Sequence, residues 1–224
     1  VGIYWLQAAS AEVLGTVTGD PQHKAIWIYR VPSLLGAFAA VAFLYWCMEG
    51  FAGAEAGFLG ALLLGMTLLL SSEAKIAKTD AVLLGSVVAA QAVLMRVYLS
   101  AQDPARAPPS RLLVLGGWAA FAIGILIKGP VIAGVCAMTV IALLVWDRWK
   151  PVEGQTDWWR WLGRTNPVSG LALTLLLTLP WFIAIWLQSH GQFYQQSLGH
   201  DFGAKLAGGQ ETHGAPPGYY LLLT

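Results

Sequence analysis

The chain has 224 residues, of which 57% are hydrophobic and only 11% are charged, and its mean hydropathy is +0.61. A soluble domain carries about a quarter charged residues, so this composition excludes a soluble globule and a disordered chain. The formal net charge of +1 indicates no general attraction to nucleic acid, and two cysteines are too few for a disulfide scaffold.

The uncharged residues fall into six long windows, each with 15 to 25 consecutive positions that lack charged side chains and histidine. A bilayer core about 30 Å thick is crossed by about 20 mainly apolar helical residues, with polar residues at its rims. The pattern predicts an all-α polytopic membrane helix bundle with outer juxtamembrane loops, six spans and the start of a seventh. The windows are 31–48, 56–72, 81–95, 112–127, 129–146 and 165–189.

The predicted organisation has four parts along the chain. We expect the end of a first outer loop in 1–26, the six-span bundle in 27–189, an outer loop in 190–217 and the start of the next span in 218–224. The chain starts without Met or a basic signal region and ends in an apolar run, so we expect an internal piece of a longer membrane protein.

The 35 residues from Leu112 to Trp146 are too many for one span, and Lys128-Gly129-Pro130 supplies the turn for two. Cys47 and Cys136 lie within windows, where small buried thiols are expected, and they lack metal-ligand spacing.

Six spans divide the polar segments between two sides of the membrane. The first side receives residues 1–30, 71–80, 128 and 190–217, and the second receives 49–55, 96–111 and 147–164. Lys and Arg are more concentrated in the short loops of the second side. The positive-inside rule therefore predicts that the second side is cytoplasmic.

The titratable residues of the first side are the candidates for chemistry. A charged side chain near the hydrocarbon boundary has a high free energy unless it is paired or hydrated. Such charges therefore mark a ligand site or a pathway. This side holds all four histidines and several charged residues: His23, His190, His200, His213, Arg30, Lys75, Lys78, Asp80, Lys128 and Lys205.

Each of these candidates also has a simpler interpretation. If Lys75, Lys78 and Asp80 begin a helix, the two ammonium groups share a face that could bind phosphate; otherwise they are solvated loop charges that end the spans. Arg30 is either an interfacial anchor or a ligand-binding cation. The imidazoles and carboxylates of the 190–217 loop could hold a divalent cation, although no compact metal-binding spacing supports it.

The segments, taken in order, resemble the bacterial aminoarabinose transferase and protein mannosyltransferase-like family of multispan glycosyltransferases with the type C fold. The resemblance covers essentially the whole chain and rests on seven short motifs in order. These are Ile3-Tyr4-Trp5-Leu6-Gln7, Tyr29-Arg30-Val31-Pro32-Ser33, Lys78-Thr79-Asp80-Ala81, Ile127-Lys128-Gly129-Pro130, Leu179-Pro180-Trp181-Phe182, His200 with Lys205, and Pro216-Pro217-Gly218-Tyr219-Tyr220.

The resemblance implies a multi-pass enzyme of the bacterial inner membrane with its active site facing the periplasm. Family members move a sugar from a polyprenyl phosphate to an envelope acceptor, which can be lipid A, another lipid or a protein. The implied partners are therefore the lipid-linked sugar, that acceptor and membrane lipids, with no nucleic acid. The family's acidic residue and Lys-Pro motif stand directly before the Tyr-Trp-Leu stretch, so we expect the catalytic base upstream of Val1.

Individual residues take their implied roles from the same motifs. Asp80 matches the acidic catalytic residue of the Thr-Asp motif, whereas Lys78 replaces the usual small or hydroxyl residue. Lys205 stands where a basic residue, usually Arg, faces the lipid phosphate. His200 corresponds to an outer-loop His near a divalent metal, the one cofactor implied. Lys78, Lys128, Lys205 and Arg30 are the predicted cations for the lipid phosphate, which leaves by direct displacement with inversion.

Two other functions compete with a transferase. In a transporter or channel, Asp80 and the histidines would form an ion or proton relay, but such a relay places ionisable groups at mid-span and the six windows contain none. A purely structural subunit explains the spans, but not the charged 71–80 segment or the loop that carries histidines.

Overall fold

The computed structural model describes residues 2–19, 25–103, 105–149 and 159–189, so the predictions for 190–224 lie outside the described residues. These residues form helices, turns and short links, with no strand among them. A 3₁₀ turn, Ile26–Arg30, leads into the second of the nine α-helices found in the described ranges. The helices are α1 Gly2–Thr18, α2 Val31–Ala52, α3 Ala54–Gly65, α4 Leu68–Glu73, α5 Asp80–Gln102, α6 Arg111–Lys128, α7 Val131–Trp149, α8 Trp161–Arg164 and α9 Pro167–Ser189.

Five helical segments in the described part of the chain have the length and composition of membrane spans. They are Ile26–Ala52, which joins the 3₁₀ turn to α2, and the helices α5, α6, α7 and α9. They correspond to all the predicted windows except the second, and they identify a multi-pass, all-α membrane protein. The all-α prediction is confirmed for the described residues, whereas six spans and the start of a seventh are not.

The second window forms two short helices instead of one long one. α3 ends at Gly65 after 12 residues, and α4 contains only six. Between them Thr67 has an extended backbone, with φ −64° and ψ 133°, and its hydroxyl accepts the N–H of Leu70. A threonine in this position caps a new helix, and the preceding glycine weakens the old one. The expected single span is therefore broken at 66–67.

α3 and α4 together still return along α2. Gly57, early in α3, lies against Glu49 near the end of α2. Leu70 of α4 packs near Ala37, which lies in the second turn of α2. The broken segment thus reverses the direction of the chain as a single span would, and α5 begins beside the start of α2.

α2 and α5 run parallel to each other. Near their starts, Ser33 Oγ donates a hydrogen bond to the carbonyl of Lys78 at 3.0 Å. Near their ends, the Arg96 guanidinium donates to the carbonyl of Trp46 at 2.7 Å.

Small residues allow the backbones of α2 and α5 to approach closely. A Cβ placed on Gly36 would lie 2.5 Å from the Cα of Val82, and one on Gly85 would lie 2.6 Å from the carbonyl oxygen of Gly36. In a membrane, where apolar helices gain little by leaving lipid, such close packing is a main source of helix association.

α6 and α7 form the hairpin that the Lys-Gly-Pro sequence predicts. α6 ends at Lys128, and Gly129 turns the chain with φ 64°, a conformation that favours glycine. α6 is antiparallel to α5, so that Lys128 meets Asp80, and α7 returns parallel to α5. Halfway along, the Gln91 side chain donates to Thr139 Oγ1 at 2.9 Å.

The chain divides into two compact units, Val1–Thr178 and Leu179–Thr224. In the first unit, Trp118 Nε1 donates to the carbonyl of Thr165 at 2.7 Å, which fixes the link between α8 and α9 against α6. The second unit is described only over 179–189, the last part of α9, where the rings of Trp181 and Phe182 meet edge to face at 5.0 Å.

The described polar segments of the first unit gather at two ends, as the alternation of spans predicts. The Lys128 end comprises residues 25–30, 74–80 and 128–130. The Arg111 end comprises residues 49–55, 96–103, 105–111, 147–149 and 159–166. Within 1–26, predicted as outer loop, the chain forms α1, and Gln7 of that helix donates to the carbonyl of Ala77 at the Lys128 end at 3.2 Å.

Candidate functional site

The centre of the Lys128 end is an ion pair between two helix termini. Asp80 is the first residue of α5, Lys128 is the last residue of α6, and Lys128 Nζ is hydrogen-bonded to Asp80 Oδ1. Each charge also has the sign that its helix end favours. The two side chains remain 43% and 47% exposed, so the pair is open to a ligand from outside the bundle.

The segment that carries Lys78 is fixed by its backbone. Gln7 donates to the carbonyl of Ala77, and Ser33, a fully buried residue, donates to that of Lys78. The side chains of Lys75 and Lys78 are exposed. Both residues lie in the turns and bends before α5, so the helix on which their ammonium groups would share a face does not include them, and the alternative of loop charges between the apolar segments fits the structure. Two anchored carbonyls instead hold the segment with its lysines outward.

Arg30 reaches the same end of the molecule through the 3₁₀ turn. It is the last residue of that turn and directly precedes α2. The turn is held by Ile28, whose side chain is fully buried and whose carbonyl accepts the Ser10 hydroxyl at 2.7 Å. Arg30 itself is exposed. Its position one turn before Ser33 places it near the Lys78 segment.

Of the six predicted site residues, the structure brings four to one end: Arg30, Lys78, Asp80 and Lys128. The other two, Lys205 and His200, lie outside the described residues. Among those described, no group of three or more His, Cys, Asp or Glu side chains could hold a metal ion. The metal assigned to His200 therefore stays a prediction.

Glu73, directly before the 74–80 part of the Lys128 end, is an acidic residue to which the sequence motifs assign no role. It is the last residue of α4, and its Oε2 is buried with no hydrogen-bond partner among the described residues. The sequence signal was its position as the first charge after the second apolar window. An unpaired carboxylate oxygen beside the Lys75 and Lys78 segment is a further candidate to accept a proton or bind a cation.

A long apolar groove begins at the Lys128 end and follows the bundle. Its volume is about 1050 Å³, and residues of α1, α2, α5 and α6 line it. On α2 the lining extends from Val31 to Trp46, a distance of about 22 Å, or roughly three quarters of the bilayer core. Val31 directly follows Arg30, and Val82 of the lining is two residues after Asp80.

The groove and the charges together form an amphipathic site. Its walls are apolar, with the hydroxyls of Ser10 and Ser86 as the polar exceptions. The side chains of Arg30, Asp80 and Lys128 do not line the groove, but Arg30 and Asp80 precede its lining residues Val31 and Val82 by one and two positions. A hydrocarbon chain lying in the groove would therefore end at about their depth in the bundle. Such an arrangement suits a lipid with a long chain and an anionic head.

Comparisons of the chain with protein-family models, curated proteins and solved structures give no match. The functional argument therefore rests on the site itself.

Proposed function

We propose that the protein is an integral membrane glycosyltransferase that moves a sugar from a polyprenyl-phosphate donor to an envelope acceptor. The observation that supports this most directly is the apolar groove, whose lining includes Val31 and Val82, one and two residues after Arg30 and Asp80. A polyprenyl chain would occupy the groove, and its phosphate would lie among the cations Arg30, Lys78 and Lys128. The acceptor is a lipid such as lipid A, or a protein.

In this proposal the cations of the Lys128 end stabilise the leaving group. As the acceptor oxygen attacks the anomeric carbon, the bond from that carbon to the phosphate oxygen breaks, and its electron pair stays on the lipid phosphate. Lys128, Lys78 and Arg30 would neutralise the charge that develops there. Lys205 is proposed to make the same kind of contact from the 190–217 loop.

The acceptor proton goes to a carboxylate in the same step. Asp80 is proposed as the catalytic carboxylate. Because Asp80 is paired with Lys128, its carboxylate also holds that ammonium at the Lys128 end. Attack opposite the phosphate gives inversion at the anomeric carbon, and recovery of a retained anomer would contradict direct displacement.

Location at the bacterial inner membrane, with the Lys128 end facing the periplasm, belongs to the same proposal. It is supported by the excess of Lys and Arg in the short loops of the Arg111 end.

The test is sugar transfer by the full-length protein in membranes supplied with polyprenyl-phosphate sugars. We expect Asp80→Asn, Lys128→Gln and Lys205→Ala each to lower transfer at least 100-fold, since a positioned acid–base or charge-stabilising group contributes about 10² or more to the rate. Arg148→Gln removes an exposed cation from the opposite end and should leave transfer unchanged. Full activity of the Asp80 and Lys205 variants would refute the site assignment.

The transporter alternative has less support from the described helices. The charged residues of the five segments with the length of membrane spans lie near the two ends, and at mid-depth Gln91 and Thr139, two neutral side chains, form a hydrogen bond. A proton or ion relay needs ionisable groups along its path. Ion flux through proteoliposomes that lack any lipid-linked sugar would favour this alternative.

A further inference from the structure

A second cavity extends to the Arg111 end, where Leu162 and Thr165 line it. Its volume is about 450 Å³; residues of α5, α6, α7, α8 and the start of α9 line it, and it is partly open to the outside of the bundle. On α6 the lining extends from Val114 to Phe121, which is about 10 Å along the helix axis, or a third of the bilayer core. On α7 the lining extends from Ala133 to Val140, in the half of that helix nearer the Lys128 end.

The lining of this cavity is hydrocarbon-like. Apart from Thr165 and the indole of Trp118, its side chains are aliphatic, aromatic or a thiol. The Trp118 N–H is already bonded to the carbonyl of Thr165, so it is not available to a ligand. Such a cavity offers apolar contact and no hydrogen bonds, which suits a single acyl chain.

Two arginines stand next to this lining. Arg111 is three residues before Val114 on α6, and Arg164 directly precedes Thr165. The guanidinium of Arg111 donates to Ser169 Oγ at 3.2 Å, and that of Arg164 donates to the carbonyl of Ser100. Both side chains are exposed, and neither forms an ion pair with a carboxylate within the described residues. Each holds its position through a neutral partner, and its charge has no carboxylate partner in the described part of the chain.

We propose that this cavity binds one acyl chain of an anionic phospholipid whose phosphate lies between Arg111 and Arg164. Basic side chains beside pockets between membrane helices are the usual recognition elements for anionic lipid heads, and guanidinium groups match phosphate geometry. The lipid comes from the leaflet at the Arg111 end. It is therefore distinct from any lipid whose head lies at the Lys128 end, and its binding does not depend on glycosyl transfer.

The experiment uses the full chain, stripped of lipid in detergent and titrated with dioleoyl phosphatidylglycerol or dioleoyl phosphatidylcholine. Native mass spectrometry counts the bound lipids, and thermal unfolding reports stabilisation. We expect one tightly held phosphatidylglycerol, and much weaker binding of phosphatidylcholine. The double variant Arg111→Gln/Arg164→Gln should weaken the phosphatidylglycerol complex about 30-fold, because each cation near a lipid surface contributes about fivefold in affinity.

Matched variants separate this site from general attraction to an anionic surface. Arg148→Gln removes an exposed charge at the same end, away from the cavity lining, and should keep the tight complex. Ala137→Leu adds bulk inside the cavity and should abolish the complex, whereas Ala142→Leu, on α7 but outside the lining, should not. Equal binding of the two lipids, or an unchanged complex in the arginine double variant, would overturn the proposal.

Discussion

The ion pair of Asp80 and Lys128 joins α5 to α6, and the proposed function gives it a second role in the reaction. Because both side chains are close to half exposed, water screens their attraction, and such pairs contribute about 0–1 kcal/mol to stability. A role limited to joining α5 and α6 would therefore be a minor one. The functional interpretation instead needs the ammonium on α6 and the carboxylate on α5, each facing its own substrate group.

Exchange of the two charges tests that distinction. Lys128→Met should change the free energy of unfolding by less than about 1 kcal/mol but strongly reduce sugar transfer. The double exchange Asp80→Lys/Lys128→Asp re-forms an ion pair, yet it places each charge on the wrong helix. We expect folding to be kept and transfer to stay lost, as measured by thermal unfolding and by transfer of a labelled sugar. Recovery of transfer in the exchange variant would show that the pair is only structural.

Asp147 is a different kind of carboxylate. It lies at the Arg111 end, is only 6% exposed, and accepts hydrogen bonds from the Tyr98 hydroxyl at 2.6 Å and the Gln102 amide at 3.2 Å. In the sequence it was a charge that ended a window. Its burial could not be predicted, because its partners are more than 40 residues away and are brought together by the parallel packing of α5 and α7.

Loss of the tyrosine hydroxyl should therefore destabilise the protein. Tyr98→Phe leaves a buried carboxylate with one described donor fewer, and we expect a cost of about 1–3 kcal/mol. The substitution keeps the ring contact with Trp161, so the change in stability reports the loss of the hydrogen bond and not a loss of packing. Tyr45→Phe removes an exposed hydroxyl and is the control. Equal thermal stability of the two variants in the same detergent would contradict the proposed importance of this hydrogen bond.

At the level of the helices, the sequence predicted the long spans well and failed at the second window. Window length and the absence of charge are sufficient to predict α5, α6, α7 and α9. They carry no information about the capping interaction of Thr67, since a threonine within an apolar run is equally compatible with a continuous span. The Thr67 hydroxyl stabilises the break, because it donates a hydrogen bond to the carbonyl of Leu64 at 2.7 Å and accepts one from the N–H of Leu70.

Removal of the Thr67 hydroxyl should destabilise the start of α4. Thr67→Ala loses the helix cap and should cost about 0.5–2 kcal/mol in thermal unfolding. Thr16→Ala, in which the lost hydroxyl bonds only to carbonyls of its own helix, should cost less. A larger loss of stability in Thr16→Ala than in Thr67→Ala would count against the cap.

The contact of α2 with α5 makes opposite predictions for two glycines. Gly36→Ala puts a methyl group against the backbone of α5 and should separate the helices, with a cost typical of overpacking, about 1–3 kcal/mol. Gly134 in α7 has nothing within 4 Å of an added Cβ, so Gly134→Ala should stabilise by up to about 1 kcal/mol through helix propensity. Thermal unfolding of both variants shows whether each substitution raises or lowers the stability of the protein. Stabilisation by Gly36→Ala would contradict the close approach of α2 and α5.

For the whole first unit, alternation of spans was sufficient to predict which polar segments share an end. The prediction is correct although the second window is not a single helix, because α3 and α4 together still return along α2. Which end faces outward depends on a small difference in cation density, and the packing of helices gives no information about it. Labelling in cells can decide the orientation.

We expect Ile76→Cys to react with a membrane-impermeant maleimide in intact cells, and Ala105→Cys to react only after the membrane is opened. Both positions are exposed, Ile76 at the Lys128 end and Ala105 at the Arg111 end. Cys47 and Cys136 are first replaced by serine, so that each variant carries one thiol in the described part of the chain. The reverse labelling pattern would put the Asp80–Lys128 pair in the cytoplasm, where a lipid-linked sugar on the outer leaflet cannot reach it.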